Sequence, residues 1–305
     1  MKQGTRKIVI AGGTGFLGNI LLKYYKHADV EIVVLTRNTK PAHDNVRYVQ
    51  WDAKTVGYWI KELERSDVVI NLVGKSVNCR YTEKNKREII ASRVDATTII
   101  GQAINACIFP PRVWINAGSA AIFGNSGEEI KFEDSSVGDG FSPEVCKRWE
   151  NAFNEARTPH TRKVFLRIGL VLQKGEGLIR PFVNMVKFGL GGKFGSGEQY
   201  ISWIHEADFV NVVQSAISNF SVTGILHCSS PFPVKNKEFL DTIRQTMNAW
   251  LALPNPAFLV RFGALFVGTE ADLVLQGRRV VSRILEERKF EFKYPTIDQA
   301  IANII

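Results

Sequence analysis

The stretch Gly12-Gly13-Thr14-Gly15-Phe16-Leu17-Gly18 constrains the fold more than any other part of the chain, because of what flanks it. The apolar run Lys7-Ile8-Val9-Ile10-Ala11 before it reads as a strand, and a helical pattern begins near Phe16. Strand, glycine turn and helix in that order open a βαβ unit of the dinucleotide-binding kind. Glycine allows the tight turn at Gly12, close approach of a ligand to the backbone at Gly15, and close helix packing at Gly18. The helix amino terminus offers unpaired N–H groups to phosphates, so Gly12, Thr14, Gly15, Phe16, Leu17 and Gly18 are candidate contacts. A plain strand-to-helix turn is the alternative.

Further runs rich in Val and Ile follow at Val30 to Thr36, Val46 to Gln50, Val68 to Val73, Val113 to Ala117 and Val164 to Ile168, alternating with helical patterns. Strands apolar on both faces, separated by helices, predict an α/β fold: a Rossmann-type doubly wound parallel sheet. Thr82 to Cys107 reads as one long helix, with Ile89, Ile90, Val94, Ile99, Ala103 and Ile104 as its apolar stripe. After Gly169 the composition turns to glycine and aromatics, and proline-marked turns punctuate the tail at Pro254, Pro256 and Pro295. The expected division is a nucleotide-binding domain over 1–170 plus about 205–230, and a smaller C-terminal α/β substrate domain over about 171–204 and 231–305.

Residues Ala257 to Gly268 are too few to cross a bilayer and include Arg261, so they read as a buried or pocket-lining helix. With no apolar leader evident, a cytoplasmic protein without a membrane partner is expected. Cys79, Cys107, Cys146 and Cys228 lie far apart, which argues against a disulfide framework or a metal site and for reduced thiols. A formal charge of +9 raises the question of nucleic acid. The basic run Lys84-Asn85-Lys86-Arg87 lacks interleaved aromatics and reads as a solvated helix face, so no nucleic-acid partner is expected. A small-molecule substrate and a homodimer complete the expected partners.

At the end of the second strand, where an NAD enzyme places an acid against the ribose 2′-hydroxyl, this chain has Thr36-Arg37-Asn38. A guanidinium grips a 2′-phosphate through charge-assisted hydrogen bonds of about 1.5 to 3 kcal/mol each, so NADP(H) is the expected cofactor. Asp52, after the third strand, meets the adenine amino group or caps the next helix.

Several ordered motifs resemble one family: Asn71-Leu72-Val73-Gly74, Ser92-Arg93, Ser119-Ala120-Ala121-Ile122-Phe123-Gly124, Trp149-Glu150, and Gly195-Ser196-Gly197-Glu198-Gln199 with Trp203-Ile204-His205. The chain resembles the atypical extended short-chain dehydrogenase/reductases of the NAD-dependent epimerase family, with cell-division-inhibitor-like members. Its tail, through Leu275-Gln276-Gly277-Arg278-Arg279-Val280 and Phe290-Glu291-Phe292-Lys293-Tyr294-Pro295, is similar to that family's C-terminal domain of unknown function. The resemblance implies a nicotinamide cofactor held by the glycine turn, Thr36, Arg37, Leu72, Val73 and Gly74, with Glu88, Arg93 and Arg167 as further contacts. Arg93 paired with a helix carboxylate, and Arg167 in a buried ion pair, are the other readings of those residues.

In such reductases and epimerases a Tyr-x-x-x-Lys pair exchanges the substrate proton beside a strand-end serine. Ser119 occupies the serine place, yet the tyrosine and lysine places fall near Ser142 and Cys146. Glu144, Cys146 and His205 are the substitute acids or bases, with Lys147 as a charge and Tyr81 as a further hydroxyl. A buried thiol at Cys146, a structural histidine at His205 and a packing role for Tyr81 stand against them. The Gly191 to Gly197 segment is a flap over substrate or a plain loop. Two functions follow: an oxidoreductase or epimerase acting on a hydroxylated or carbonyl compound, or a non-catalytic protein that senses NADP(H) or serves as a scaffold.

Overall fold

The computed structural model describes residues 5–38, 40–177 and 179–305. Its centre is a seven-stranded sheet of β1 (Arg6–Ala11), β2 (Val30–Thr36), β3 (Val46–Gln50), β4 (Val68–Asn71), β5 (Val113–Ser119), β6 (Arg162–Ile168) and β7 (Gly224–Cys228). The spatial order is β7-β6-β5-β4-β1-β2-β3, with every neighbouring pair parallel. This is the Rossmann-type doubly wound sheet that the alternating pattern predicts. The order reverses between β1 and β4, and the crevice outside the strand ends at such a switch point is where ligands bind. The glycine turn leads from β1 into helix α1 (Phe16–Tyr25) at that crevice.

Helix α2 (Glu83–Asn105) starts where Thr82 Oγ1 accepts a hydrogen bond from Asn85 N at 3.2 Å. It buries Ile89, Ala96, Ile99, Ile100, Ala103 and Ile104, while Ile90 and Val94 remain half-buried. A buried polar junction ties it to the sheet and to α3 (Phe141–Glu155). Asn71 Nδ2 donates to Asn116 Oδ1 at 2.7 Å and to Thr97 Oγ1 at 3.2 Å, and Trp149 Nε1 donates to Thr97 Oγ1 at 3.0 Å. Asn71 also ends β4 two residues before the expected Val73: its Oδ1 accepts from Val73 N at 3.1 Å, turning the chain out of the ladder.

A second apolar cluster forms beside the sheet from α4 (Ile179–Lys187), α6 (Asn236–Thr246) and the last helix, Ile297–Ile304. Phe182, Phe194, Trp203, Phe239, Ile243 and Ile301 are its larger members. Between its pieces runs α5 (Glu206–Ser218), whose Phe209, Val212 and Val213 belong to the sheet's own core. Part of the tail returns there too: Leu285 is buried in the first core, with Phe290 and Phe292 packed against it.

One expectation is corrected, and one open pair of readings is narrowed. Helix α7 (Ala257–Val267) is neither buried nor part of the cavity that opens at the end of β5: Ala264 is its one buried residue, and Phe258, Phe262 and Phe266 are exposed. A single stripe through Val260 and Ala264 faces the body of the protein, and the exposed Phe262 and Phe266 pack only edge-on against each other among the described residues. The Gly191 to Gly197 segment is no free flap. Backbone bonds from Gly192 to Leu253 O, Gly195 to Asn255 O and Lys237 to Gly197 O tie it to the tail, and Phe194 N donates to Asn236 Oδ1 at 2.8 Å.

Candidate functional site

Three glycines of the first turn have three different reasons to be glycine. Gly12 has φ +74°, and a Cβ there would stand 3.0 Å from the Leu72 carbonyl carbon. At Gly18 a Cβ would meet Gly13 O at 2.3 Å, so the close helix packing needs hydrogen at that place. Gly15 differs: its φ is −85°, and a Cβ would find only Gly12 O at 3.4 Å, an ordinary contact. No atom of the described residues accounts for its lack of a side chain, whereas a ligand approaching the backbone does. Gly15 also caps α1 without any side-chain hydrogen bond, leaving the first-turn amides of Phe16, Leu17 and Gly18 for an anion.

The neighbouring segments converge on this cradle. Leu72 N donates to Ala11 O at 2.9 Å, which holds the Leu72-Val73-Gly74 turn beside Gly12. Arg37 stands exposed past β2 and makes no ion pair among the described residues, while buried Thr36 bonds Asn38 through both its Oγ1 and that residue's backbone. An open glycine cradle, a helix terminus without a cap and an unpaired cation at the second strand suit a dinucleotide with a 2′-phosphate.

Other expected contacts are otherwise engaged. Asp52 is a turn cap: its carboxylate accepts from Lys54 N at 2.9 Å, Thr55 N at 2.8 Å and Thr55 Oγ1 at 2.6 Å, which lowers its pKa to about 2. Glu88 is held at the surface by Lys75. Arg167 is not free for a phosphate, since Glu150 occupies its guanidinium at 2.8 and 3.1 Å and Glu133 O accepts from Nη1 at 3.0 Å.

A cavity of about 170 Å³ opens beyond the end of β5. Ser119 reaches it from the strand, Ser142 and Cys146 from the first turns of α3, Tyr81 from the segment before α2, Arg93 from α2 and Arg278 from the tail. The two positions where a Tyr-x-x-x-Lys relay would stand therefore face the same space as the serine, with the relay chemistry removed. Ser119 Oγ accepts from Ala121 N at 3.2 Å, which fixes its rotamer and leaves its proton for another acceptor.

Tyr81 brings a phenol to this wall. Its ring packs edge-on against Phe141, with centroids 4.7 Å apart, and its backbone N donates to Glu270 Oε1 at 2.8 Å. The Oη is buried without a hydrogen-bond partner among the described residues. Burial raises the Tyr81 pKa, opposed by the Ser142 hydroxyl, near enough to favour the phenolate but outside hydrogen-bond geometry, and by the Arg93 charge. An unpartnered buried hydroxyl costs about 1 to 3 kcal/mol unless something completes it.

The acids and bases expected from the sequence fare differently. Cys146 lines the cavity, but burial pushes its thiol up to about 12, so it carries no charge at neutral pH. Glu144 points outward and pairs with Arg148 at 2.6 Å. Lys147 turns to Asp139 at 3.7 Å. His205 is structural: Nδ1 accepts from Ala207 N at 3.0 Å to cap α5, Nε2 bonds Asn303 Oδ1 at 3.1 Å, and the ring stacks on Tyr294 at 4.0 Å. Arg93 donates from Nη1 to Lys75 O and Ile89 O at 3.0 and 2.9 Å and lies over the Trp149 ring at 5.1 Å, with no helix carboxylate as partner among the described residues. No group of His, Cys, Asp and Glu fit to hold a metal occurs among the described residues.

The comparison with known proteins agrees with this architecture. Residues 8–145 match the NAD dependent epimerase/dehydratase family, and residues 255–304 match a domain of unknown function, DUF1731. The epimerase family protein YfhF of Bacillus subtilis is 31% identical over 98% of this chain and 97% of its own length. The epimerase family protein ML0860 of Mycobacterium leprae is 30% identical, over 99% and 97%. The chain belongs to the NAD-dependent epimerase/dehydratase family. Among solved structures, the human epimerase family protein SDR39U1, crystallised with NADPH, superposes with a TM-score of 0.86 at 27% identity, covering 98% of both chains. A nucleoside-diphosphate sugar epimerase from Corynebacterium glutamicum gives 0.79 at 26% identity, covering 99% of this chain and 58% of that one.

Proposed function

We propose that this chain is an NADP(H)-dependent oxidoreductase that reduces a small carbonyl compound, with Ser119 and Tyr81 in place of the usual relay. One observation carries the reading: the buried, unpartnered Tyr81 hydroxyl opens onto the cavity of Ser119, where the relay positions hold Ser142 and Cys146. The open cradle at Gly15, the unpaired Arg37 and the NADPH-bound human relative support the choice of cofactor. Leu72, Val73 and Gly74 would pass the ribose and diphosphate.

NADPH supplies a hydride when bound. Ser119 Oγ donates a hydrogen bond to the substrate carbonyl oxygen and orients it. Tyr81 Oη gives its proton to that oxygen as the carbonyl carbon accepts the hydride pair, so carbonyl, hydride and proton balance to an alcohol. The raised pKa of Tyr81 suits this direction, because the phenol holds its proton at neutral pH until the alkoxide develops. Arg93 stabilises the phenolate left behind, the part a lysine plays in the usual relay. At neutral pH the phenol is therefore the resting form, the one that reduction consumes.

The test is hydride transfer from NADPH deuterated at the nicotinamide C4, read by mass spectrometry across a panel of aldehydes and ketones. Transfer that is lost in Tyr81→Phe and reduced in Ser119→Ala, with NADPH affinity intact, is the expected result. Tight NADPH binding without transfer to any carbonyl would favour the sensing or scaffold function, which the missing Tyr-x-x-x-Lys pair supports.

A further inference from the structure

Arg93 and Arg278 bring two guanidiniums to one small cavity from segments far apart in the sequence. Arg278 lies in the tail segment, and its position is fixed: its N donates to Tyr200 O at 3.0 Å, and its O accepts from Ser202 Oγ at 2.8 Å. The preceding Gly277 is clamped between Asn125 Oδ1 and Ser126 N, with no room for a Cβ against Tyr200 N at 2.4 Å. The arginine is therefore presented by a rigid stretch that bridges the tail and the loop after β5.

Neither guanidinium forms an ion pair among the described residues. Burial lowers the pKa of both, and the groups that oppose this are the same for each, Cys146 and Tyr81, neither of them a carboxylate and both protonated at neutral pH. Both side chains line the one cavity, beside the same thiol and the same phenol. Arg93 spends Nη1 on backbone carbonyls, whereas Arg278 makes only a long bond, Nη2 to Gln276 O at 3.5 Å. Asp272 reaches the cavity rim but is engaged by Arg261 at 3.6 Å and Gln276 at 3.1 Å. Two like charges gathered in a partly desolvated space without a counter-ion are costly unless a ligand supplies the charge.

We propose that Arg278, with Arg93, is the anchor for a carboxylate or phosphate group of the substrate, so that the enzyme takes compact anionic carbonyl compounds. Arginine's planar fork fits either oxyanion with paired hydrogen bonds. The cavity of about 170 Å³ sets the scale, below the roughly 300 to 1,000 Å³ of sites that enclose drug-sized ligands. An oxyanion between the guanidiniums puts the rest of a short molecule beside Ser119 and Tyr81. The matched domain of unknown function, residues 255–304, thereby gains a role in the site, delivering the cation that selects the substrate. The proposal rests on the reductase reading of this cavity, but its binding step is testable apart from turnover.

The experiment is isothermal titration calorimetry on the full chain, with and without NADPH, using charged probes against uncharged partners. Inorganic phosphate, acetate, pyruvate and dihydroxyacetone phosphate are compared with acetamide, pyruvamide and dihydroxyacetone. The anionic probes should bind roughly tenfold to a hundredfold more tightly than their neutral partners. Arg278→Gln should remove that margin and Arg278→Lys restore part of it, with NADPH affinity unchanged and the melting temperature of the ligand-free protein no lower than the parent's. Phosphate binding preferred over carboxylate, or the reverse, identifies which oxyanion the substrate carries. Equal binding of charged and neutral probes, no binding of any anion, or full retention in Arg278→Gln would overturn the proposal. Failure of NADPH to bind, or turnover of neutral carbonyls independent of Arg278, separates the fate of the reductase reading from that of the anion site.

Discussion

Arg167 on β6 grips both carboxylate oxygens of Glu150 on α3, Nη2 to Oε1 at 2.8 Å and Nε to Oε2 at 3.1 Å, and both side chains are buried. The pair clamps α3 to the sheet at the turn below the cavity wall. Glu150→Ala leaves the guanidinium without its counter-charge, and the loss should be about 3 to 5 kcal/mol in a urea titration. Replacing both partners by apolar residues of similar volume should cost much less. If Glu150→Ala alone is neutral, the ion pair does not secure the helix.

Next to that pair, His227 gives stability a pH dependence of definite sign. Its Nδ1 donates to Val281 O at 2.9 Å, so the neutral ring presents Nε2 to Arg167 Nη1 at 3.5 Å. Burial and the Arg167 charge lower its pKa to about 4, against the opposing pull of Glu133 and Asp134. Between the unfolded value of about 6.5 and this folded value, the unfolded chain binds more protons, so stability falls as the solution is acidified through that window. His205, lowered by burial, adds to the same slope. Chemical denaturation at half-unit pH steps should show the decline, and His227→Gln should flatten it; an unchanged slope in the variant assigns the effect elsewhere.

The glycine turn separates a ligand requirement from a folding requirement. Gly15→Val should leave the melting curve near that of the parent while abolishing NADPH binding, because the side chain enters the space the backbone keeps open. Gly18→Val should instead unfold or strongly destabilise the protein, since its Cβ collides with Gly13 O. Circular dichroism with a fluorescence titration of NADPH distinguishes the two; retained binding in Gly15→Val would make the turn structural only.

The sheet is legible in the amino-acid sequence because β1, β2 and β4 are nearly unbroken Val and Ile, the mark of strands covered on both faces. The family resemblance likewise leads to Ser119 and to the vacant relay. What local pattern does not carry is the identity of partners distant in sequence. His205 reads as available for catalysis until Asn303, 98 residues away, takes its Nε2. Arg167 has two readings that only the position of Glu150 decides. The apolar residues of α7 imply burial, but hydrophobicity does not say which face meets a neighbour, and most of that helix meets none. Arg278 sits in a segment whose family likeness is evident, yet nothing local marks it as a cavity residue.

NADP(H) in the glycine cradle underlies every catalytic step proposed for this chain, and Arg37 is the residue on which that assignment turns. No carboxylate precedes it in Val33-Val34-Leu35-Thr36, and its guanidinium is unpaired among the described residues, ready for a 2′-phosphate. Isothermal titration of NADPH and NADH against the wild type and Arg37→Ala measures the discrimination directly. The wild type should bind NADPH about ten- to a hundredfold more tightly, and Arg37→Ala should bind the two alike. Equal affinity for both cofactors in the wild type would contradict the assignment.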